Sequence, residues 1–297
     1  MAGKTHEIRD PIHAFIRLDS DEREALNSEP FQRLREIHQL ALTYLVYPGA
    51  THRRFEHSLG VMDLATRIYD VVMMAGNIRH SSVKRIIRDY GYWKRVVRMA
   101  ALCHDLGHLP FSHAAEKDLL PEGWNHERIS LSVINSDCMA NVWKKLGISP
   151  EDVAKLALGP KEYPEPGRLD DWEAILSEII VGDVFGADRM DYLLRDSHHA
   201  GVAYGRFDHY RLIDTIRILP NAVDGSEEPA LGIDQGGLQS AESLLWARYF
   251  MYTQLYFHPV RRIYDIHLKE FLKDWLDGGT FSTDVPSHLK MTDSRVP

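Results

Sequence analysis

The sequence predicts a mostly α-helical protein that carries a small β-hairpin accessory. Three observations support this fold class: apolar residues recur at helical spacing along most of the chain, strand-like segments are few, and no polar linker divides the chain. The 297 residues are 44% hydrophobic and 26% charged, which is enough to bury one full-sized core. We therefore expect a single domain over residues 1–297.

The helical segments are predicted from apolar residues spaced three and four apart. In chain order they cover residues 31–41, 57–75, 83–105, 113–120, 126–136, 170–181, 184–198 and 237–276. The segment "HEIRDPIHAFIRL" at residues 6–18 is strand-like, and "TIRIL" with "PALGID" predicts a hairpin near 215–234. The segment "LGPKEYPEPGRLDD", rich in Pro and Gly, is expected to form either a lid or a simple connection near residue 165.

Charge and composition exclude several classes of function. The net charge of −8 argues against a protein that coats nucleic acid, although a local basic cluster could still bind a small phosphorylated ligand. The basic run at residues 84–98 is interpreted as a solvated helix face, with a nucleic-acid site as the alternative. Two cysteines cannot form a disulfide framework, and no stretch approaches about 18 uninterrupted apolar residues. We expect a cytoplasmic protein without a membrane span.

The segment "RVVRMAALCHDLGHLPFSH" places polar groups at the end of an apolar helix. His104, Asp105, His108 and His113 follow the apolar run within ten residues. Burying a carboxylate and several imidazoles is unfavourable unless a metal, an ion pair or water compensates. A His-Asp pair alone is a weak signal, so its interpretation depends on further ligands elsewhere in the chain.

Two other segments supply such ligands. His57 shares a helical face with three apolar positions, and a core histidine bonded to a carbonyl is the alternative interpretation. Asp188, Tyr192 and Asp196 lie four apart on one helical stripe, for which solvent exposure is the alternative. His57, His104, Asp105 and Asp188 together make a two-imidazole, two-carboxylate set for a divalent metal ion. That set does not choose among Mn, Fe, Zn, Co, Ni and Mg.

Three motifs, "RRFEHSLGV", "HDLGHLPFSH" and "ADRMDYLLRDSHHAG", resemble the signature of HD-domain phosphohydrolases. Further motifs make the resemblance narrower, to the deoxynucleoside triphosphate triphosphohydrolases (the dGTPase-like branch): "RDPIHAFIRL", "FQRLREIHQL", "YPGATHRRFEHSLG" and "SLLWARYFMYTQLYFHPVRRIYD". This resemblance covers about residues 8–270. It implies a helical HD core at about residues 30–200, with the metal held by His57, His104, Asp105 and Asp188. It also implies that long helices at 237–276 complete the nucleotide pocket and that a C-terminal extension of the family is absent.

The resemblance implies a reaction in which metal-activated water attacks the α-phosphorus of a deoxynucleoside triphosphate and releases nucleoside and triphosphate. His113 and Glu116, three apart on a short helix, can form a carboxylate-oriented imidazole suited to general acid catalysis, and the family places its catalytic pair there. His126 matches a further active-site histidine. His108 either contacts phosphate or supports a neighbouring ligand.

The resemblance also assigns the substrate-binding residues. Those expected near the phosphates are Arg54, Arg189, Arg248 and Tyr192, and those expected to line the sugar pocket are Gln39, Leu40, Asp196 and Tyr256. For each arginine alone, a surface ion pair is the alternative. A tight wall of Leu40 and Tyr256 would exclude a 2′-hydroxyl and so favour deoxyribose.

The chain departs from the family at an effector site. Gln32 and Arg35 match the guanine-nucleotide site of regulated relatives, but Asn27 replaces an acidic residue and His6 replaces a lysine. An amide cannot accept both hydrogen bonds of a guanine edge, so a nucleotide effector is conceivable but guanine activation is not expected. The family's "GGG" is "ALT" here, at residues 41–43.

The expected partners are a deoxynucleoside triphosphate substrate and further copies of the chain. A homo-oligomer is expected because the predicted helices are long and because the resemblance implies one. Nucleic acid and membrane are not expected partners. The alternative functions are another HD-type nucleotide phosphohydrolase or phosphodiesterase, and a regulator that senses nucleotides without turnover. The intact His113, Glu116 and four metal ligands argue against the regulator, because a sensor would be free to lose them.

Overall fold

The computed structural model describes residues 4–164, 169–221 and 228–297, and these are mostly helical with two small hairpins. The predicted fold class is therefore confirmed. The elements are β1 (His6–Asp10), β2 (Ala14–Leu18), α1 (Glu22–Asn27), α2 (Glu29–Arg33), α3 (Arg54–Val72), α4 (Ser81–Ile86), α5 (Tyr90–Cys103), α6 (His113–Leu119), α7 (His126–Ile134), α8 (Asp137–Leu146), α9 (Pro150–Glu162), α10 (Asp171–Val181), α11 (Ala187–Ala200), α12 (His209–Asp214), β3 (Ile216–Pro220), β4 (Pro229–Ile233), α13 (Leu238–Met251), α14 (Pro259–Trp275) and α15 (Val285–Leu289).

The core is centred on α3, which packs against α5 on one side and α11 on another. Val61, Leu64 and Ile68 are fully buried, as their helical spacing with His57 predicts. Helices α9 and α10 pack on each other and on α5 to complete this layer. Because α3, α5 and α11 carry the candidate metal ligands, core packing fixes where those ligands lie.

Both hairpins are antiparallel, and each pairs two short strands. In β1 and β2, Ile8 lies opposite Ile16, and Asp10 closes the turn by accepting hydrogen bonds from the backbone N–H groups of Ile12 (2.9 Å) and His13 (2.8 Å). β3 and β4 form the hairpin predicted near 215–234. Its connecting residues 222–227 lie outside the described residues, as do residues 165–168 of the predicted lid or connection.

The predicted helix over 31–41 is wrong beyond residue 36. Helix α2 continues only as a 3₁₀ turn at Leu34–Glu36, and Ile37, the residue after it, is extended. The backbone there pairs with the segment that precedes α3: the N–H of Gln39 donates to the carbonyl of His52 (3.1 Å), and that of Arg54 donates to the carbonyl of Ile37 (3.0 Å). This long-range pairing replaces the hydrogen bonds that a longer helix would make.

Two other predicted helices are each divided in two. The segment 83–105 contains the end of α4 and all of α5, and Asp89 begins α5 by accepting a hydrogen bond from the N–H of Tyr92 (2.5 Å). The segment 237–276 contains α13, a π-helical turn at Tyr252–Tyr256 and α14, which starts at Pro259.

Among the described residues, five helices lie where the sequence pattern predicts none: α1, α8, α9, α12 and α15. The residues Ser149 and Pro150 are typical of a helix start, so α9 could have been predicted. In the structure Ser149 accepts hydrogen bonds from the N–H groups of Glu151 and Asp152, and Pro150 takes the first helical position. Helix α9 is kinked at Gly159, whose φ of 70° no regular helix adopts, and Pro160 follows. None of the helices in the described ranges is both long and apolar enough to cross a membrane.

Candidate active site

The four residues proposed as metal ligands converge from three helices. His57 lies in α3, His104 and Asp105 directly follow α5, and Asp188 lies in the first turn of α11. The Nε2 atom of His57 is 3.0 Å from Oδ1 of Asp188, and Nε2 of His104 is 3.3 Å from Oδ1 of Asp105 and 3.6 Å from Oδ1 of Asp188. Ligand atoms of His57, His104 and Asp105 all lie within 4.8 Å of one another. These three residues are close enough to share one ion, and Asp188 lies beside the two histidines of that group.

Both imidazoles present the nitrogen that a metal would need. Nδ1 of His57 is 2.8 Å from Oδ2 of Asp191, and Nδ1 of His104 donates to the carbonyl of Ala101 (2.8 Å). These bonds favour the tautomer with the proton on Nδ1, which leaves the Nε2 lone pair facing the cluster. Nε2 of His104 is buried and makes no hydrogen bond. A buried imidazole nitrogen without a hydrogen bond, beside two carboxylates, fits a divalent cation.

The charges of this cluster also suit a cation. Burial would lower the pKa of His57, but hydrogen bonds with Asp188 and Asp191 outweigh it and raise that pKa to about 10. Burial would raise the pKa of Asp105, but the Arg54 guanidinium and the imidazole of His104 hold it well below its usual range. The pKa of Asp188 is likewise lowered, against burial, by His104 and His57. The carboxylates are thus ionised, and a cation bound here would take the place of the Nε2 proton that the raised pKa gives His57.

Asp191 holds His57 in place, and the sequence analysis did not find it. Its carboxylate is buried and contacts Nε2 of His13 (2.6 Å), Nδ1 of His57 (2.8 Å) and Nε of Arg195 (2.8 Å). Arg195 in turn donates to Asp10 (2.9 Å). The signal available in the sequence was the i, i+3 spacing of Asp188 and Asp191 on one helix, but its meaning depends on His13, far away in the chain.

The candidate acid–base residues form a second cluster around Glu116. Nδ1 of His113 is 3.1 Å from Oε2 of Glu116, and Nδ1 of His126 is 2.6 Å from Oε1. Burial would raise the pKa of Glu116, but its hydrogen bonds with both imidazoles lower it below the usual range. The His108 ring stacks on His126, with centroids 3.9 Å apart, and its Nε2 lies 3.1 Å from Oδ1 of Asp105. The two clusters are therefore joined through His108.

A strained turn precedes the helix that carries His113 and Glu116. Phe111 and Ser112 have φ values of 59° and 54°, in the left-handed region that non-glycine residues rarely adopt. Each such residue costs about 1–3 kcal/mol, so the surrounding contacts must stabilise the turn. Ser112 supplies two of them: its hydroxyl donates to the carbonyl of His38 (2.7 Å) and accepts from Nε of Arg54 (2.8 Å).

Both clusters open onto one cavity of about 780 Å³. The sequence-predicted residues that line it are Gln39, Leu40, Arg54, His104, Asp105, His108, His113, His126, Asp188, Tyr192, Asp196 and Tyr256. The Tyr256 hydroxyl donates to Oδ2 of Asp196 (2.7 Å), whose Oδ1 is 2.7 Å from Nε2 of His52. His113 is 67% exposed because it faces the cavity.

The cationic side chains that line the cavity are not the ones expected from the sequence. Arg189 and Arg248 are not among the residues lining the cavity, and Arg54 lines it while also pairing with Asp105. Three cations that the sequence analysis did not single out do line it: Lys161, Arg261 and Arg262. Lys161 pairs with Asp183, and Arg261 donates to the hydroxyl of Thr43 (2.7 Å). No signal in the sequence showed that these three side chains share a cavity with His113.

Two family models match the chain, which belongs to the HD-domain phosphohydrolase family. The model described as HD domain matches residues 54–180, and the one described as HD associated region matches residues 207–296. The first range includes His57, His104 and Asp105, whereas Asp188 lies between the two ranges.

The chain is similar to particular proteins over most of its length. The chain is 40% identical over 262 residues to the uncharacterized protein MJ1154 of Methanocaldococcus jannaschii, a match that covers 88% of this chain and 48% of that protein. It is 31% identical over 322 residues to the deoxynucleoside triphosphate triphosphohydrolase SAMHD1 of Homo sapiens, covering 97% of this chain and 49% of that protein. The chain therefore spans about half the length of these two relatives.

A solved structure is similar along nearly the whole chain. The crystal structure of a hypothetical protein from Aquifex aeolicus has a TM-score of 0.81 and 39% sequence identity, and the match covers 99% of this chain and 70% of that one. The described fold is thus shared by a second protein of related sequence.

Gly60 allows α3 to approach Asp191, and replacing it tests the link between Asp191 and the metal cluster. A Cβ at Gly60 would lie 1.9 Å from Oδ1 of Asp191 and 2.5 Å from Nη2 of Arg195. We expect Gly60→Ala to displace this pair, lower the Tm and weaken metal binding by about 10- to 100-fold, the usual range for losing a residue that orients a ligand. Thermal denaturation and metal titration measure both effects.

Gly91→Ala is the matched control, because its Cβ would lie 3.6 Å from Oδ1 of Asp89, an ordinary contact. It should keep the wild-type Tm and metal affinity. If Gly60→Ala also kept both, Asp191 would not need the position that the structure gives it.

Proposed function

We propose that this protein hydrolyses deoxynucleoside triphosphates to deoxynucleoside and triphosphate with a divalent cation. The observation that carries the proposal is that a metal-type cluster and an imidazole bonded to a carboxylate face one cavity, of a size that accepts a nucleotide. Similarity to proteins named deoxynucleoside triphosphate triphosphohydrolase supports the choice of substrate.

His57, His104, Asp105 and Asp188 would hold the cation. When bound, a divalent cation polarises a phosphoryl oxygen and makes water more acidic. The protein's own part is to hold the ligands in place: Asp191 and the Ala101 carbonyl fix the two rings, and Arg54 pairs with Asp105.

His113 would protonate the 5′-oxygen of the leaving deoxynucleoside as its bond to the α-phosphorus breaks. Glu116 orients His113 through Nδ1, which leaves Nε2 to carry the transferred proton. Burial would lower the pKa of His126, but Glu116 outweighs it and raises that pKa, so His126 is the alternative proton donor. His108 would support Asp105 and His126, which it contacts.

The remaining residues would bind the substrate. From the cavity wall, Arg54 and Tyr192 are proposed to contact the phosphates, and Gln39, Leu40, Asp196 and Tyr256 the sugar. Phosphate contacts by Arg189 and Arg248 are proposed on the resemblance alone, because neither lines the cavity. The hydrogen bond from Tyr256 to Asp196 fixes the phenol ring, and Leu40 is buried. Neither side chain can move readily to make room for a 2′-hydroxyl, so the pair would favour deoxyribose. A nucleotide effector is a further proposal, but not guanine activation, because Asn27 and His6 depart from the site that Gln32 and Arg35 match.

The substrate class is tested with a panel of deoxy- and ribonucleoside triphosphates and cyclic nucleotides, each with Mn, Fe, Mg or Zn. We expect deoxynucleoside and triphosphate, separated by chromatography, from the deoxy substrates. Nucleoside monophosphate as the product would indicate a phosphodiesterase or a different nucleotidase. Binding of nucleotide without any turnover would indicate a sensor.

Replacing a metal ligand should abolish metal binding and turnover together. In Asp105→Asn a neutral amide replaces an ionised ligand, and Arg54 loses its buried partner. We expect metal content near zero after loading, and no deoxynucleoside release. Metal analysis by mass spectrometry and the chromatographic assay measure the two effects. A variant that kept both would remove Asp105 from the metal site.

Replacing the proposed acid should separate chemistry from metal binding. His113→Ala should keep its metal and bind substrate, but lose about 10²- to 10⁴-fold in kcat, the usual contribution of a general acid. Glu116→Gln should fall in between, because the imidazole stays but loses its orienting charge. His126→Ala is the matched comparison. If His113→Ala turned over at the wild-type rate while His126→Ala lost kcat, His126 would be the acid.

We also propose a homo-oligomer, because α13, α14 and the turn between them expose several large apolar side chains. Trp246 and Phe257 are each 60% exposed, and Tyr249, Val260 and Ile263 are exposed beside them in sequence. Light scattering should give a multiple of the monomer mass, and Trp246→Glu should reduce it. A wild-type mass equal to the monomer, or a Trp246→Glu mass equal to that of the wild type, would contradict the proposal.

A further inference from the structure

Asp293 lies in the C-terminal 3₁₀ turn Asp293–Arg295, remote in sequence from every residue assigned above. Its side chain is only 6% exposed, and both carboxylate oxygens accept hydrogen bonds from elsewhere in the chain. Burying a carboxylate without hydrogen-bond partners is unfavourable. The groups that contact Asp293 are therefore held at hydrogen-bonding distance from it.

One oxygen holds the segment that leads to the proposed sugar wall. Oδ2 of Asp293 accepts from the backbone N–H of His38 (2.8 Å) and lies 2.6 Å from Nδ1 of the same residue. Gln39 and Leu40, which follow directly, line the cavity. The position of Asp293 therefore sets where this wall begins.

The other oxygen holds the segment that leads to the proposed acid. Oδ1 of Asp293 accepts from the backbone N–H of Phe111 (2.8 Å), the first of the two residues with positive φ. Ser112 and His113 follow, so the bond fixes the turn from which α6 starts. A carboxylate acceptor at this point stabilises a backbone conformation that Phe111 would otherwise avoid.

Further hydrogen bonds link these two segments to each other and to the metal cluster. The Ser112 hydroxyl donates to the carbonyl of His38, and Arg54 donates to Ser112 while pairing with Asp105. Next to Asp293 in the chain, the carbonyl of Met291 accepts from Nε of Arg33 (2.8 Å), whose Nη2 donates to the carbonyl of His108 (2.9 Å). The C-terminal turn is thus bound to both sides of the cavity.

We infer that Asp293 is a positioning residue for the reaction, which sets His113 relative to the sugar wall by holding Phe111 and His38 with its two oxygens. The inference rests on the proposed function for the role of His113, although the positioning itself does not depend on which substrate is used. Losing the carboxylate lets the strained turn relax. A displacement of about 1 Å at a reacting group can cost on the order of a hundredfold in rate.

A double-mutant cycle tests whether Asp293 acts through His113. Asp293→Asn keeps the shape of the side chain but replaces one acceptor oxygen by a donor, so it cannot satisfy both His38 and Phe111. We expect kcat per bound metal ion to fall by roughly 10- to 100-fold, with metal content unchanged. In the Asp293→Asn background, His113→Ala should cost far less than it does in the wild type, because the acid is already misplaced. A purely structural role would leave the cost of His113→Ala the same in both backgrounds, which would overturn the inference.

Amide hydrogen exchange provides an arm that needs no substrate. Asp293→Asn should speed exchange in peptides covering residues 37–40 and 108–114 while leaving the core of α3 protected. Asp284→Asn is the matched control, since Asp284 is an exposed carboxylate of the same terminal region that accepts only from the N–H of Ser287 (3.1 Å) among the described bonds. It should leave exchange, kcat and metal content unchanged.

The outcomes separate the two proposals. If the wild type hydrolyses no deoxynucleoside triphosphate but exchange in Asp293→Asn rises at both segments, the proposed function fails and the positioning stands. If exchange in those segments is unchanged, or rises equally in Asp284→Asn, Asp293 does not hold the cavity walls and the inference is wrong.

Discussion

The buried carboxylate of Asp191 is the interaction on which the arrangement of the site depends. Burial would raise its pKa, but Arg195, His13 and His57 outweigh burial and keep the pKa well below its usual range. Removing one partner of such a buried group typically costs about 3–5 kcal/mol, because the remaining charge is left without compensation. The N-terminal hairpin, α3 and α11 each contribute a partner, so their mutual positions are fixed at this point. The orientation of His57 follows from that constraint.

His108 connects the metal-type cluster with the residues around Glu116. It contacts Asp105 through Nε2 and stacks on His126, and burial together with the charges of Arg54 and His126 lowers its pKa well below the usual value. His108 is therefore neutral at pH 7, and it supports its neighbours by contact without adding positive charge. Of the two imidazoles that Glu116 contacts, His126 has a raised pKa, whereas burial lowers the pKa of His113, so the positive charge around Glu116 lies on Arg54 and His126.

The sequence was informative where a local pattern determines the structure. The helix containing His57 was predicted because its apolar positions recur over many turns, and His104 and Asp105 were found because polar groups interrupt a buried run. Asp191, Asp293 and the bond between Glu116 and His126 depend on side chains brought together by the fold. Such contacts leave no periodic signal in one sequence, so no inspection of the local pattern could have found them.

The cavity cations were missed for a more specific reason. The sequence pattern predicts one continuous helix over 237–276, but the π-helical turn at Tyr252–Tyr256 interrupts it before Pro259. Because the chain leaves helical geometry at His258 and α14 starts anew at Pro259, a continuous helix over 237–276 does not predict which way Arg261 and Arg262 face. Lys161 follows the kink at Gly159 and Pro160 in α9, a helix that the sequence pattern does not predict.

The two matched regions of the chain contribute to the same cavity. His104, Asp105 and His113 come from the HD domain, whereas Tyr256, Arg261 and Arg262 come from the HD associated region. The hydrogen bonds of Asp293 extend this dependence, since a residue near the end of the second region holds a backbone turn of the first. An HD domain separated from the associated region would keep three of the four proposed ligands but lose one wall of its cavity and the support of the turn before His113. The reacting geometry thus belongs to both regions together, and the strained turn at Phe111 and Ser112 is the place where each depends on the other.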